Sequence, residues 1–213
     1  MPLPPVAILI PTMRAHLIPA LIDNIAEVTP SAHEVYWACT EDSECAGVLK
    51  KCGQKVLIDK GGFWPARINA LFKWTSEPFV FIAADDVKFH PGWLEAAFVA
   101  MERVQGCGIV SVNDLNNPYG TLSLISREYI DTFGGTMDKT GPVIHPGYHH
   151  NWSETEMRQT AERRGRWTYC VESVVEHMHH DCKKAPYDEV YALGDRFLQE
   201  DVTLFFSRHP LWA

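Results

Sequence analysis

Long hydrophobic runs, paired cysteines and an excess of basic charge are all missing from this 213-residue sequence. The longest uninterrupted apolar stretch, Val6 to Pro11, is far shorter than the ~20 residues that cross a bilayer. The N-terminus lacks a basic segment followed by a longer apolar one, so we expect no signal peptide. With 19 Lys and Arg against 27 Asp and Glu, the net charge of −8 argues against broad electrostatic capture of nucleic acid.

The six cysteines are scattered, and none of them belongs to a CxxC pair. In a chain of this size that pattern is typical of reduced intracellular thiols rather than of a disulfide framework. Hydrophobic residues make up 46% of the chain and charged residues 22%, as in an ordinary globular protein. We therefore expect a single cytoplasmic domain.

The first half of the chain alternates between short apolar runs and helical patterns. Four of these runs are predicted strands: Val6–Ile10, Glu34–Thr40, Lys55–Asp59 and Phe79–Ala83. Alternation of this kind predicts an α/β fold whose mainly parallel central sheet has helices on both faces. Ligands bind beyond the carboxyl ends of such strands, and Pro11-Thr12, Thr40 to Ser43, and Asp85-Asp86 all fall at such ends.

The second half is less regular. Residues 106–182 contain several short strands, which we expect to form a smaller antiparallel portion. A helix capped by Ser126 ends at Gly134-Gly135, and residues 136–151 have the composition of a flexible loop. Ser153 and Glu156 have capping-box spacing, which predicts a helix to about Arg164, and residues 183–213 are expected to form one or two covering helices.

Asp85 and Asp86 are the first candidate functional residues. Two adjacent carboxylates after a buried strand call for a compensating cation, and such hard oxygen ligands suit Mg²⁺ or Mn²⁺. The alternative interpretation is a solvated turn that supplies negative charge to the helix beginning near Pro91.

His177, His179 and His180 follow a predicted strand, and in extended backbone His177 and His179 point the same way. That spacing suits two imidazoles on one metal ion. One alternative is a hydrogen-bonded surface cluster. Another is a structural zinc site, whose four ligands would be Cys170, His177, His179 and Cys182.

Glu154 and Glu156 lie in the first turn of the predicted helix that follows the loop. For both residues the simplest interpretation is structural: Glu156 as the capping-box partner and Glu154 as negative charge at a helix N-terminus. A catalytic interpretation requires Glu154 to face the cleft and take a proton from a hydroxyl nucleophile.

Taken in order, these segments resemble the family 2 glycosyltransferases of the GT-A fold, from Val6 to His180. The first strand with Pro11-Thr12, the acidic loop after the second strand, and Asp85-Asp86 followed by Pro91-Gly-Trp-Leu94 are similar to the family's nucleotide-binding segments. That acidic loop reads Thr40-Glu-Asp-Ser43. Three further matches are Gly61-Gly62 with Ala66-Arg67 and Asn69, the acceptor-side segment from Ser126-Arg127 through Gly134 to Asp138, and Ser153-Glu-Thr-Glu-Met157. The chain has Ala84 where the family's DxD motif begins with Asp, and Ser153-Glu154 where its base element has Glu-Asp.

The resemblance implies a single GT-A-like domain with a nucleotide-binding half (1–105), an acceptor and catalytic half (106–182) and a helical cover (183–213). It implies a nucleotide-diphosphate sugar donor, most simply a UDP-sugar, an acceptor hydroxyl, and Mn²⁺ or Mg²⁺ as cofactor. Asp86 with His177 or His179 would hold the metal ion, and Glu154 would be the base of an inverting transfer. The implied donor-binding residues are Pro11, Thr12, Glu41, Asp42, Arg67 and Asp85, with Arg67 orienting Asp85 or a phosphate and Asp85 facing the ribose or metal-bound water.

Two other functions are compatible with the same patterns. A nucleotidyltransferase of related fold predicts a glycine-rich basic loop after the first strand, but that loop reads Pro11-Thr-Met-Arg14-Ala-His16 and contains no glycine. A non-catalytic, zinc-stabilised binding protein predicts tightly bound zinc and no hydrolysis of any sugar nucleotide.

Overall fold

The computed structural model describes residues 2–29, 32–138 and 141–212. Its strands are β1 Val6–Pro11, β2 His33–Thr40, β3 Lys55–Asp59, β4 Phe79–Ile82, β5 Val87–Phe89, β6 Ile109–Asn113, β7 Ser123–Ser126 and β8 Trp167–His177. Its α-helices are α1 Ile18–Val28, α2 Glu44–Lys51, α3 Trp64–Trp74, α4 Trp93–Met101, α5 Arg127–Phe133, α6 Ser153–Arg163, α7 Glu189–Arg196 and α8 Leu198–Arg208. No helix among the described residues is long and apolar enough to cross a membrane.

The strands form one mixed sheet in the order β3-β2-β1-β4-β7-β6-β8-β5. β1 pairs in parallel with β2 and β4, β2 with β3, and β6 with β8. β7 runs antiparallel to both β4 and β6, and β5 runs antiparallel to β8. Because β7 separates two parallel groups, β1, β4, β6 and β8 all end at the same edge of the sheet. The predicted α/β class and the smaller antiparallel portion are confirmed.

Alternating side chains of β1 fill two separate hydrophobic cores. Val6, Ile8 and Ile10 pack with residues of α1 and α4 on one face of the sheet. Ala7 and Leu9 pack on the other face with residues of α3, α5 and α6. A strand whose two faces are both covered by helices must be apolar at every position, which explains the unbroken run in the sequence.

Several predicted elements differ from the structure. The sequence interpretation did not include α2 or the three-residue β5, and it divided β8 into two strands. The predicted capping box of α6 is wrong: Ser153 Oγ donates a hydrogen bond to His150 O, and the Glu156 carboxylate binds other side chains. The described part of the predicted flexible loop 136–151 is packed, since Val143 and Ile144 are fully buried; Lys139 and Thr140 lie outside the described residues.

Candidate functional site at the carboxyl edge of the sheet

The candidate site is built where β1, β4 and β8 end. Asp85 and Asp86 follow β4, and the chain then turns into β5, where Val87 pairs with His177 at the end of β8. Antiparallel pairing at that position sets Asp86 beside His177, with 3.2 Å between Asp86 Oδ1 and His177 Nε2. The three-residue strand β5 thus brings together two residues that lie 91 positions apart in sequence.

Asp85 is a buried, fully engaged carboxylate. Its Oδ2 accepts hydrogen bonds from Thr12 Oγ1 at 3.0 Å and from the backbone N–H groups of Met13 and Arg14 at 2.9 and 3.0 Å. Its Oδ1 accepts a hydrogen bond from Arg14 Nη1 at 2.7 Å. These bonds use both oxygens of Asp85 and tie the turn after β1 to the end of β4.

Asp86 is also buried, with 6% of its side chain exposed. Burial by itself would raise the pKa of Asp86, but the hydrogen bond and positive charge of His177 outweigh this and hold that pKa below its ordinary range. Burial likewise opposes protonation of His177, yet its bond to Asp86 raises the His177 pKa above the usual value. Asp86 therefore stays ionised in the folded protein and attracts positive charge.

The Asp86–His177 pair fits a divalent cation. Two ligand atoms at ~2.1 Å from one octahedral ion lie about 3 Å apart, close to the observed 3.2 Å. A carboxylate oxygen and an imidazole nitrogen form a donor set that suits Mn²⁺. The chemistry and spacing of these two residues therefore suit a divalent ion.

His179 takes a different position. The centroids of the His179 and His177 rings lie 5.1 Å apart. Asp86, His177 and His179 nevertheless do not bring three ligand atoms close enough together for one metal ion. His179, His180 and Asp181 do. The predicted four-residue zinc site is wrong. Cys170 Sγ donates a hydrogen bond to Ala96 O on α4 at 3.4 Å and does not cluster with the histidines. All six cysteines are free thiols.

Glu154 and Glu156 are clearly distinguished by their surroundings. Glu154, partly buried in the first turn of α6, accepts a hydrogen bond from Ser153 Oγ at 3.1 Å. Burial raises the Glu154 pKa, while the charges of His150 and His177 nearby act in the opposite direction. Glu156 is fully buried and is engaged by Tyr148 and Arg208, with 2.6 Å to Arg208 Nη2. Of the two, Glu154 is the one whose pKa is influenced by the charge of His177.

The predicted donor-binding residues fall into two groups. Pro11 and Thr12 are buried at the end of β1 beside Asp85, and Glu41 and Asp42 are exposed in the turn that follows β2. Arg67 on α3 is buried, but its Nε donates to Asp59 Oδ2 at 2.6 Å. The interpretation that Arg67 orients Asp85 is therefore wrong, because its guanidinium is bound to Asp59 at the end of β3.

Arg14 orients Asp85 instead, and the sequence interpretation did not include it. Its Nη1 lies 2.7 Å from Asp85 Oδ1 and 3.5 Å from Asp86 Oδ2, while its Nε donates to Asp188 at 2.6 Å. The guanidinium also lies 4.3 Å from the centre of the Tyr191 ring, and the Tyr191 hydroxyl donates to Asp86 Oδ2 at 2.7 Å. No local pattern signals this role, since Asp188 is 174 positions away in sequence.

Solved structures share this architecture. Glucosyl-3-phosphoglycerate synthase from Mycobacterium tuberculosis, determined with Mn²⁺, UDP and glucosyl-3-phosphoglycerate, aligns with a TM-score of 0.66 at 14% identity, over 96% of this chain and 80% of that one. A mannosyltransferase from Pyrobaculum calidifontis, determined with GDP-Man and Mn²⁺, aligns with a TM-score of 0.61 at 15% identity, over 82% of this chain.

This chain spans 56% of the length of the mannosyltransferase. No protein-family model and no curated protein matches the sequence. The structural likeness establishes the GT-A fold, so the fold implied by the sequence resemblance is confirmed.

Proposed function

We propose that the protein is a divalent-metal-dependent glycosyltransferase that moves a sugar from a nucleoside-diphosphate donor, most simply a UDP-sugar, to an acceptor hydroxyl. The observation that carries the proposal is the pairing of Asp86 Oδ1 with His177 Nε2 at the carboxyl edge of a GT-A sheet. Both compared enzymes were determined with Mn²⁺ and a nucleotide or nucleotide sugar, which supports the same ligand class here.

Asp86 and His177 would hold Mn²⁺ or Mg²⁺ at this edge. The bound ion would supply the positive charge that stabilises the departing nucleoside diphosphate. Asp85 is held rigidly by the turn after β1 and would face the ribose or a metal-bound water. Pro11, Thr12, Glu41 and Asp42 would line the nucleoside pocket, and Arg67 would help to bind the donor from α3.

Glu154 would act as the general base. A carboxylate with a raised pKa takes a proton from a hydroxyl group more readily than an ordinary one, because its basicity lies closer to the working pH. Attack by that oxygen on the face of the sugar opposite the diphosphate forms the new C–O bond as the old one breaks. A single displacement of this kind inverts the anomeric centre, as the family 2 resemblance implies.

Donor hydrolysis tests the proposal without knowledge of the acceptor. UDP- and GDP-sugars are incubated with the protein and Mn²⁺, and release of the free nucleoside diphosphate is measured. We expect turnover of one donor class, its loss in Asp86→Asn, and wild-type activity in Asp131→Asn, which changes an exposed carboxylate on α5. Turnover that survives both EDTA and Asp86→Asn would contradict the metal assignment.

The base is tested separately in the same assay. Glu154→Gln keeps the size of the side chain and removes its basicity, so hydrolysis of the donor, in which water replaces the acceptor hydroxyl, is expected to fall by about 10²-fold or more. Binding of UDP with Mn²⁺ should be unchanged. Full donor hydrolysis by Glu154→Gln, with Asp86→Asn inactive, would leave the metal assignment in place and exclude the base assignment.

A further inference from the structure

The segment 183–191, here named the strap, crosses the candidate site after the histidine cluster and enters α7. Its attachment at one end is polar, with Lys184 Nζ lying 3.0 Å from Glu176 Oε1. At the other end Asp188 pairs with Arg14, and the Tyr191 hydroxyl donates to Asp86. The strap is thus fastened to the same carboxylate that the proposed metal ion requires.

The middle of the strap does not pack tightly against the domain. Lys184, Ala185 and Pro186 line a cavity of about 490 Å³ together with Leu17, just before α1, and Leu21 on α1. Among strap residues 183–191, Tyr191 is the buried one, and its ring packs on His179 and His180. The strap is thus held by its polar end contacts and by one aromatic ring, and segments with few buried apolar contacts open at low cost in free energy.

Arg14 and Tyr191 bind Asp86 at Oδ2, the second oxygen of the carboxylate whose Oδ1 contacts His177. Arg14 Nη1 lies between Asp85 and Asp86 and supplies the positive charge that two adjacent buried carboxylates demand. The Tyr191 hydroxyl donates a 2.7 Å hydrogen bond to Asp86 Oδ2. Arrival of a divalent ion would place two further positive charges beside the Arg14 guanidinium and weaken its hold on Asp86.

We propose that the strap is a latch that competes with the divalent cation for Asp86, so that metal binding and strap release are coupled. The inference rests on the proposed function, because it takes Asp86 as a metal ligand. Coupling of this kind is reciprocal: whatever loosens the latch raises the apparent affinity for the metal, and the metal loosens the latch. Once Arg14 is released from Asp86 and Asp188, its guanidinium can bind the donor diphosphate.

Mn²⁺ binding to the full chain, measured by electron paramagnetic resonance with and without saturating UDP, tests the latch. Tyr191→Phe removes the hydroxyl, and Asp188→Asn removes the charge while retaining a side chain that can cap α7. Each is expected to lower the apparent Kd for Mn²⁺ by about tenfold, the scale set by one hydrogen bond to a charged group. The matched controls are Tyr187→Phe on the strap and Asp195→Asn on α7, an exposed hydrogen-bonded pair, and both should bind Mn²⁺ as wild type does.

Hydrogen exchange supplies a second readout that does not depend on activity. Mn²⁺ with UDP should speed exchange at the backbone amides of 183–191 in the wild type. Slower exchange there, or weaker Mn²⁺ binding by Tyr191→Phe, would overturn the latch, because the strap would then belong to the metal-bound state. Equal Mn²⁺ affinity in the latch variants would also overturn it while the proposed function stands, provided that Asp86→Asn loses binding. Absence of Mn²⁺ binding in every variant would overturn both.

Discussion

Glu154 and Glu156 lie two residues apart on α6 and have different surroundings. Glu156 is fully buried, and its carboxylate accepts hydrogen bonds from Arg208 Nη2 and Nε at 2.6 and 2.9 Å. A buried charge that loses its partner costs far more than an exposed one, because neither water nor another group compensates it. Glu156 is therefore a structural residue, and Glu154 is the one we propose as the base.

Glu156→Gln should lower the free energy of unfolding by about 2 kcal/mol, since it weakens the charged hydrogen bonds at a fully buried position and leaves Asp138 as the anionic partner of Arg208. Urea unfolding at pH 7 measures the change. Glu162→Gln on the same helix is the control: its bond to Arg158 is exposed and should contribute less than about 1 kcal/mol. Equal losses in the two variants would show that the Glu156–Arg208 pair is not specially stabilising.

The two candidate histidines should also differ in their effect on metal binding. His177→Ala removes the imidazole beside Asp86 and should weaken Mn²⁺ binding by at least about tenfold. His179→Ala removes a ring that does not cluster with Asp86 and should change the affinity by less than about threefold. The same Mn²⁺ titration measures both, and a larger loss in His179→Ala would reverse the assignment.

Among the elements, α8 is fastened to the domain near both of its ends. Close to its start, fully buried Asp201 accepts hydrogen bonds from the backbone N–H groups of residues 149–151, each at 2.8 Å. At its C-terminus an ion-pair network joins Arg208 to both Glu156 on α6 and Asp138, with 2.7 Å to Asp138 Oδ1. Together with the small apolar cluster of Phe205, Trp212 and Tyr148, these polar contacts hold the C-terminal cover that the sequence predicts.

That network predicts how stability depends on pH. The hydrogen bond from Arg208 holds the pKa of Asp138 well below its ordinary value, so the unfolded chain takes up a proton there more readily than the folded one. The stabilisation is fully present above about pH 4, the ordinary range of an Asp carboxyl, and is lost as the pH falls toward the lower folded pKa. Between about pH 4 and 2, the free energy of unfolding of Asp138→Asn should therefore decline less steeply than that of the wild type.

Urea unfolding at several pH values in that range measures the difference between wild type and Asp138→Asn. Parallel declines in the two proteins would mean that the Arg208–Asp138 bond does not couple proton uptake to folding.

At the scale of the whole molecule, the strand–helix alternation predicted the sheet because buried parallel strands must be apolar on both faces. α2 escaped prediction because it buries only Cys45 and Leu49 and contains Gly47, so its helical pattern is weak. β5 escaped because three residues cannot display a period. Both elements owe their conformation to tertiary packing.

The same contrast holds for the site. Asp85 and Asp86 were predictable because they come soon after a buried strand, and the end of a strand can be recognised from the local sequence. Arg14, Asp188 and Tyr191 were not, because only the return of the C-terminal segment to the turn after β1 brings them together. The separation of Glu154 from Glu156 likewise depends on Arg208, which lies 52 positions from Glu156.

The central claim is that Asp86 and His177 hold the divalent ion to which a nucleoside diphosphate binds. A crystal of the protein soaked with Mn²⁺ and UDP, with diffraction measured at the manganese absorption edge, tests it most directly. The account predicts an anomalous peak between Asp86 Oδ1 and His177 Nε2, with the diphosphate in contact with it. A peak at another position, or UDP bound with no manganese beside Asp86, would contradict the account.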